Sequence, residues 1–225
     1  QHIVVSGGAS GLGLGLVQRY LKRSLKVSIL DLVISDEHKR TLDDLAHTHR
    51  ASWHFFETDI RNAGLVENNV EQAISLFGSI DLAVNSAGVV INQSLEETSP
   101  EDFKRVIDIN LVGSFNFAHA ILPKLTPNSQ LAFISSIAGL ISNYAYSAYG
   151  ASKFGVVGLA TTLRYEYAHK GISISCICPP EVKTPMVEAE LKSGNSISLA
   201  LKKYGGSMAT DDACDQIVAG LDAKK

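Results

Sequence analysis

Short apolar runs, each closed by small or polar residues and each followed by a stretch of helical character, recur along the chain. Ile3-Val4-Val5 ends in Ser6-Gly7-Gly8, and a helical segment begins near Gly11. A second run over residues 26–30 stops at Asp31 and leads into a polar, helix-favouring segment, 36–49. Residues 53–56 make a third strand ending before Thr58-Asp59. Residues 65–77 then place Val66, Val70, Ala73, Ile74 and Phe77 on one side of a helix. Leu82-Ala83-Val84 closes on Asn85-Ser86-Ala87-Gly88. Ser99 as N-cap, Pro100 at the first helical position and acids at Glu101 and Asp102 predict a helix running to about Leu122. A fifth strand, 131–134, ends at Ser135-Ser136. A long helix over about 147–169 stops at Lys170-Gly171, a cation and a glycine where a helix end favours them. The sixth strand, 172–178, is cut off by Pro179-Pro180. A polar stretch to Ser207 and a last helix from about 211 to 221 complete the pattern.

Strands that alternate with helices and are apolar throughout are those of a parallel sheet buried on both faces. No composition shift or repeat divides the chain. The expectation is a single α/β, doubly wound Rossmann domain over residues 1–225, with a mostly parallel sheet of six or seven strands flanked by helices. In such sheets ligands bind beyond the carboxyl ends of the strands. The residues just after each run are Ser6-Gly7, Asp31, Asp59, Asn85 to Gly88, Ser135-Ser136 and Pro179-Pro180, and they are polar, small or turn-forming.

Composition narrows the partners. With 225 residues, 45% hydrophobic and 19% charged, the chain reads as an ordinary globular domain. A formal net charge of −3 offers no electrostatic attraction to nucleic acid or an anionic membrane, so no nucleic-acid partner is expected. No apolar run has the roughly eighteen residues of a membrane span, so none is expected. The chain opens at Gln1, without Met and without a basic stretch leading into an apolar one, and a trimmed leader is compatible with that start. Cys176 and Cys178 share a strand, where their side chains are expected on opposite faces, and Cys214 lies far off in the last helix. An odd count without metal-ligand spacing suits buried thiols in a reducing, cytoplasmic compartment. The histidines are scattered, and no metal site is expected.

Ser6-Gly7-Gly8-Ala9-Ser10-Gly11-Leu12-Gly13 lies between the first strand and the first helix. Glycines there let the backbone turn sharply and approach a pyrophosphate, which the N–H groups and dipole of the helix start favour. Gly15, already inside the helix, reads as a site of close helix–sheet packing. Asp31, eighteen residues after Gly13, stands where an acid accepts hydrogen bonds from ribose hydroxyls. A 2′-phosphate would meet its charge, and no Lys or Arg in the loop or directly after Asp31 relieves that repulsion. NAD(H) is therefore expected over NADP(H). Tyr149 and Lys153, four apart on a helix, share a face one turn from each other. A nearby ammonium favours the phenolate, which would turn a poor base of pKa about 10 into a proton donor and acceptor near neutrality.

Together these residues resemble the short-chain dehydrogenase/reductase family. The family's Thr-Gly-x-x-x-Gly-x-Gly appears from Ser6 to Gly13 with Ser for Thr, its Asn-Asn-Ala-Gly as Asn85-Ser86-Ala87-Gly88, and its adenine-contacting Asp as Asp59. Its catalytic Asn, Ser, Tyr and Lys match Asn110, Ser136, Tyr149 and Lys153, with Ser136 thirteen residues before Tyr149. Ser135 is the competing serine, and the separation argues for Ser136. The resemblance spans residues 3–185. It implies an NAD(P)(H)-dependent oxidoreductase interconverting a secondary alcohol and a ketone, with a small-molecule alcohol or ketone as substrate. Tyr149 would be the acid/base and Ser136 its partner at the carbonyl oxygen. Lys153 would hold the nicotinamide ribose and lower the tyrosine pKa, and Asn110 would hold a relay water, with a helix-bending role open beside it. The cofactor set it implies is Ser6, Gly7, Ser10, Gly11, Leu12, Gly13, Asp31, Asp59, Ile60, Asn85, Ala87, Gly88, Tyr149, Lys153, Pro179, Val182 and Thr184. Residues 1–110 would be mainly nucleotide binding, 111–185 the catalytic half and 186–210 an apolar substrate lid, with Tyr144 and Tyr146 beside the substrate. Pairing of the two long central helices implies a homodimer or homotetramer.

The chain departs from the pattern at Pro179-Pro180, where the family commonly has Pro-Gly, and lacks the usual final strand with Asp-Gly-Gly, which fits truncation at that end. A similar Pro-Pro-acid run occurs among 3-ketosphinganine reductases, making a lipid ketone reductase an alternative, although NADPH use there disagrees with Asp31. A non-catalytic NAD(H)-sensing protein of the same fold is the other alternative. A nucleotide-sugar epimerase shares Tyr-x-x-x-Lys but has different glycine spacing and a larger C-terminal domain.

Overall fold

The first strand, β1 (His2–Ser6), is buried at every position and lies in the middle of the sheet. The computed structural model describes residues 1–223. From β1 the chain alternates through α1 (Gly11–Lys22), β2 (Lys26–Asp31), α2 (Asp36–His49), β3 (Ser52–Glu57), α3 (Ala63–Phe77) and β4 (Leu82–Asn85). The helical run α4 (Pro100–Ile107) and α5 (Gly113–Ile121) comes next, then β5 (Gln130–Ile134), α6 (Ser147–Ala168) and β6 (Ser173–Ile177). Three helices, α7 (Pro185–Ser193), α8 (Ser196–Lys202) and α9 (Thr210–Asp222), finish it.

The six strands pair in the order β3-β2-β1-β4-β5-β6, and every pairing is parallel. Alternate residues of one strand feed opposite faces. Val4 joins the core under α3, α5 and α6 with Leu30, Phe117 and Phe133, while Ile3 and Val5 join the other with Leu16, Ile29 and Ile217. That division is why the strands read as continuous apolar runs rather than alternating ones. The register aligns the strand ends: Ser6 stands opposite Leu30 on one side and Asn85 on the other. The chain winds outward in both directions from the β1–β4 junction, and the crevice at that switch point receives the ligand in this fold class.

The helix expected from Ser99 to about Leu122 forms, with Ser99 accepting from the Asp102 N–H at 3.0 Å, but it is not continuous. A five-residue π-turn, Asp108–Val112, separates α4 from α5. Asn110 sits in that turn, with its side chain bonded both ways to the Val89 backbone, and the Ser114 hydroxyl donates to its carbonyl at 2.5 Å. Widened turns of this kind are frequent at functional sites. By length and mean hydropathy (1.2) the run Pro100–Lys124 would pass for a membrane span. Its most apolar window is 56% buried, and Phe117 and Ile121 are wholly inside, so it reads as a core helix of the domain.

Two expectations about small residues need correction. Gly15 does not serve helix–sheet packing: a Cβ there would lie 2.6 Å from Cys214 Sγ, so it lets α9 close on α1. Cys176 and Cys178 do not point apart, because two residues along an extended chain return to the same face. Their thiols interact, and burial together with Cys178 pushes the Cys176 thiol up to about 12. All three thiols are free. Among the described residues no strand follows β6, which makes the sheet six-stranded.

Candidate active site

Along the carboxyl edge of the sheet runs one cleft of about 790 Å³, within the usual size of small-molecule and cofactor sites. Its nucleotide end starts at the turn after β1. Gly7 has φ +65° and donates its N–H to Leu30 O, and a Cβ there would lie 2.6 Å from the Ala87 backbone. A Cβ on Gly13 would come within 2.0 Å of Gly7 O, so the turn closes tightly on itself only because that side chain is missing. Ser10 is the N-cap of α1 but makes no side-chain cap. Ser10, Gly11 and Leu12 line the cleft, which leaves the N–H groups of the first helical turn to an incoming anion. Those features fit the pyrophosphate of a dinucleotide.

Of the expected cofactor residues, Gly7, Ser10, Gly11, Leu12, Asp31, Asp59, Ile60, Ala87, Gly88, Tyr149, Lys153, Pro179, Val182 and Thr184 all line this cleft. Ser6, Gly13 and Asn85 stand behind its wall. The Ser6 hydroxyl donates to Asn85 Oδ1 at 2.5 Å, and Asn85 Nδ2 donates to Ser114 Oγ at 2.6 Å. That chain ties the ends of β1 and β4 to α5, so the side chains of Ser6 and Asn85 brace the floor rather than reach a ligand.

Asp31 both braces and faces the cleft. Its carboxylate accepts from the Ala9 N–H (3.0 Å) and from its neighbour Leu32 (2.8 Å). Burial raises its pKa, and the two N–H bonds oppose that rise. The lysines and arginines lining the cleft are Arg61, Arg105, Lys153 and Lys202, and none of them pairs with Asp31. Asp59 is gripped by Arg61 at 2.6 Å, and that bond holds its carboxyl below the usual range. Thr184 caps nothing with its side chain and stands opposite Gly11, whose added Cβ would lie 3.6 Å from it.

Asn110, Ser136, Tyr149 and Lys153 come from three elements; the last three line the cleft, and Asn110 stands outside the lining, behind Gly88. Gly88 lies between two of them: a Cβ there would be 3.3 Å from Asn110 Oδ1 and 3.5 Å from Lys153 Nζ. Asn110 is 1% exposed and also donates to Ser152 Oγ, which in turn donates to Tyr149 O at 2.7 Å. Asn110 thus ties the π-turn to the Val89 backbone and to α6. Ser136 lines the cleft with Tyr149, whose pKa it lowers, and accepts from the Ala138 N–H. Ser135 instead donates its hydroxyl to Lys153 O at 3.0 Å, a backbone bond that anchors α6. The two serines thus have different partners.

One expectation fails in this arrangement. Lys153 Nζ lies 5.7 Å from the Tyr149 ring centre and donates to Ile134 O at 3.0 Å, so it does not draw the phenol down. Burial pushes Tyr149 up to about 12 against the lowering effect of Ser136, and the negative charge of Glu190 adds to the rise. Burial likewise pushes Lys153 down to about 8.

The substrate end contains residues that sequence reasoning missed. Tyr146 is there as expected, its ring edge-on to Tyr149 with centres 5.2 Å apart, whereas Tyr144 is exposed and stands outside the lining. Glu181, Glu190 and Lys202 also line it, along with Ile137, Ile141, Met186 and Leu201. No local pattern marks Glu190 or Lys202, because an acid and a base on short helices such as α7 and α8 look like solvated positions.

A family model described as short chain dehydrogenase matches residues 1–194 of the chain. The chain is 34% identical over 232 residues to 3-dehydrosphinganine reductase TSC10B of Arabidopsis thaliana, covering 100% of this chain and 68% of that protein. It is 31% identical over 237 residues to 2-(R)-hydroxypropyl-CoM dehydrogenase of Xanthobacter autotrophicus, covering 98% and 91%. Among solved structures, levodione reductase superposes with a TM-score of 0.87 at 26% identity, covering 100% of this chain and 92% of that one.

The depressed lysine makes a stability prediction. An unfolded Lys153 holds its proton up to about pH 10.5, whereas the folded one gives it up from about 8, so the unfolded state binds more protons between those values. The destabilisation from burying this ammonium is complete below pH 8 and is relieved as pH rises towards 10.5. In denaturant titrations at pH 7 and pH 10, wild type should gain stability relative to Lys153→Met at the higher pH. A difference that does not change with pH would contradict the assignment.

Proposed function

The chain belongs to the short-chain dehydrogenase/reductase family of oxidoreductases, and on that footing we propose that it interconverts a secondary alcohol and a ketone, with NAD(H) favoured over NADP(H) and Tyr149 as the acid/base. The observation that carries this reading is that Ser136, Tyr149 and Lys153 line one cleft, with Asn110 behind Gly88 at the same place. A bound nicotinamide supplies the hydride exchanged with the carbonyl carbon. The chain's own groups manage the oxygen. Tyr149 Oη gives a proton to the carbonyl oxygen in reduction, and Ser136 Oγ donates to the same oxygen as charge grows there. At about 12 the phenol keeps its proton near neutrality, the state needed for reduction. Taking a proton from an alcohol requires a lower phenol pKa than burial leaves it here. Asn110 keeps the Gly88–Val89 backbone against Lys153 and so fixes the lysine's surroundings.

The cofactor preference rests on Asp31. A carboxylate at the end of β2, fixed by two N–H groups and without a cationic side chain bonded to it, favours ribose hydroxyls and repels a 2′-phosphate. A second reading, reduction of a long-chain lipid ketone, is favoured by the similarity to 3-dehydrosphinganine reductase. The apolar rim suits it: Ile141 is 70% exposed at the cleft mouth, with Ile137, Met186 and Leu201 around it. Self-association belongs to the same proposal, since Val112 and Phe115 on the α4–α5 run and Phe154 on α6 are exposed apolar side chains on the two helices that the resemblance pairs.

Three measurements test these readings. Tyr149→Phe should lower turnover of any accepted ketone by roughly 10²-fold or more while NADH binding, read by fluorescence, stays intact; retained turnover would remove Tyr149 from the acid/base role. Wild type should show higher kcat/KM with NADH than with NADPH, and Asp31→Ala should narrow that ratio, whereas a wild-type preference for NADPH would overturn the cofactor assignment. Light scattering should give the mass of a dimer or tetramer, and a monomer would remove the pairing of the central helices.

A further inference from the structure

A buried charged cluster joins the lid helices to the wall of the cleft next to Tyr149. Glu190, on α7, has a side chain only 3% exposed. Its Oε1 accepts from Tyr146 Oη at 2.5 Å and from Asn92 Nδ2 at 2.6 Å, and its Oε2 accepts from Lys202 Nζ at 2.8 Å. Lys202, on α8 and 13% exposed, reaches Glu181 Oε2 at 2.6 Å as well, and Glu181 is 20% exposed. Two carboxylates therefore share one ammonium, and all three line the substrate end of the cleft.

We infer that this cluster selects substrates by charge: with two carboxylates to one ammonium it holds a net negative charge beside the reacting position, favours neutral or cationic ketones and alcohols, and discriminates against those with an anionic group close to the reacting carbon, with Glu190 as the determining residue. The inference deepens the alcohol–ketone reading above and rests on it.

Three features lead to this. Apolar residues of similar volume would join the lid to the body at least as stably as buried ions, so stability alone does not account for the cluster. Three of the four cations at the cleft are paired with carboxylates, Lys202 with two of them, Arg61 with Asp59 and Arg105 with Asp102, which leaves Lys153, bonded to the neutral Ile134 carbonyl beside Tyr149, as the one without a carboxylate partner. The net charge of the cluster also acts at short range, because Glu190 bonds Tyr146, whose ring meets Tyr149 edge-on. In a partly enclosed cleft a fixed charge is poorly screened, so its field reaches the reacting position. The Tyr149 phenol registers that field, since Glu190 contributes to keeping it protonated. Glu190 acts through Tyr146 and through its field, and is a specificity-determining residue rather than a catalytic one.

The test uses the full chain with saturating NADH and three ketones of nearly equal size: butanone, acetoacetate and aminoacetone. Acetoacetate should have a kcat/KM roughly tenfold or more below that of butanone, and aminoacetone should match or exceed butanone. Glu190→Gln removes a negative charge and should narrow the acetoacetate deficit, while Lys202→Met removes the positive charge and should widen it. A lid merely loosened by either change would move the ratio in the same direction for both, and that result would overturn the inference, as would wild-type use of acetoacetate equal to that of butanone. Calorimetric binding of butylamine and butyrate to the NADH-loaded protein reads the same preference without turnover. Tighter butylamine binding with no ketone reduced would uphold charge selection while defeating the alcohol–ketone reading. Equal binding of the two would defeat charge selection whatever the turnover.

Discussion

Covering both faces of a six-stranded parallel sheet is the constraint from which the rest of this molecule follows. A parallel strand cannot return by a tight turn, so each is followed by a crossover of helix, and the crossovers cover both faces. Every strand end then falls on the same edge. The β1–β4 register, with Ser6 opposite Asn85, brings the glycine turn and the Ala87-Gly88 loop together at the switch point. Side chains reinforce what the backbone begins: Ser6, Asn85 and Ser114 form a buried hydrogen-bonded chain that locks two strand ends to α5. Without that edge, residues scattered over 180 positions would have no common place to meet.

The cleft differs from the core in how its polar groups are handled. Asn110 and Ser152 are all but sealed from solvent and fully engaged, and a satisfied polar network in a low dielectric is rigid and specific. Tyr149 and Lys153 stand beside them with their proton equilibria displaced towards the neutral forms by the same burial. The site thus joins a stiff scaffold to two titratable groups whose charged forms burial disfavours. The Glu181–Lys202–Glu190 cluster acts on that balance, since it adds negative charge on one side only.

Much of this was legible beforehand, because it depends on local spacing. The alternation of apolar runs with helical segments located all six strands within a residue or two, and α2 begins and ends where the polar pattern put it. Ser99-Pro100 with two following acids is a complete helix start, and the chain uses it as one. Tyr149 and Lys153 share a helix face by geometry, and the thirteen-residue separation pointed to Ser136. The misreadings have equally local causes. A period of two sends Cys176 and Cys178 to one face, and Gly15 could not reveal that its neighbour would be Cys214, about 200 residues away.

By itself, then, the sequence determined the fold class and the sheet edge where its polar residues gather, because periodicity, capping and i,i+4 spacing act within a few residues, while Asn110 and Ser136 were singled out only by the family resemblance. Tertiary structure decided the matters that depend on which distant groups meet. It made Asn85 a brace, widened the helix at Asn110 against Val89, and turned the lysine towards Ile134 O rather than the phenol. It also brought Glu190 to Asn92, 98 positions away, and to Tyr146, 44 away. A carboxylate on an amphipathic lid helix has no local signature of burial. Only the packing of the lid onto the sheet edge removes its water and supplies partners in its place.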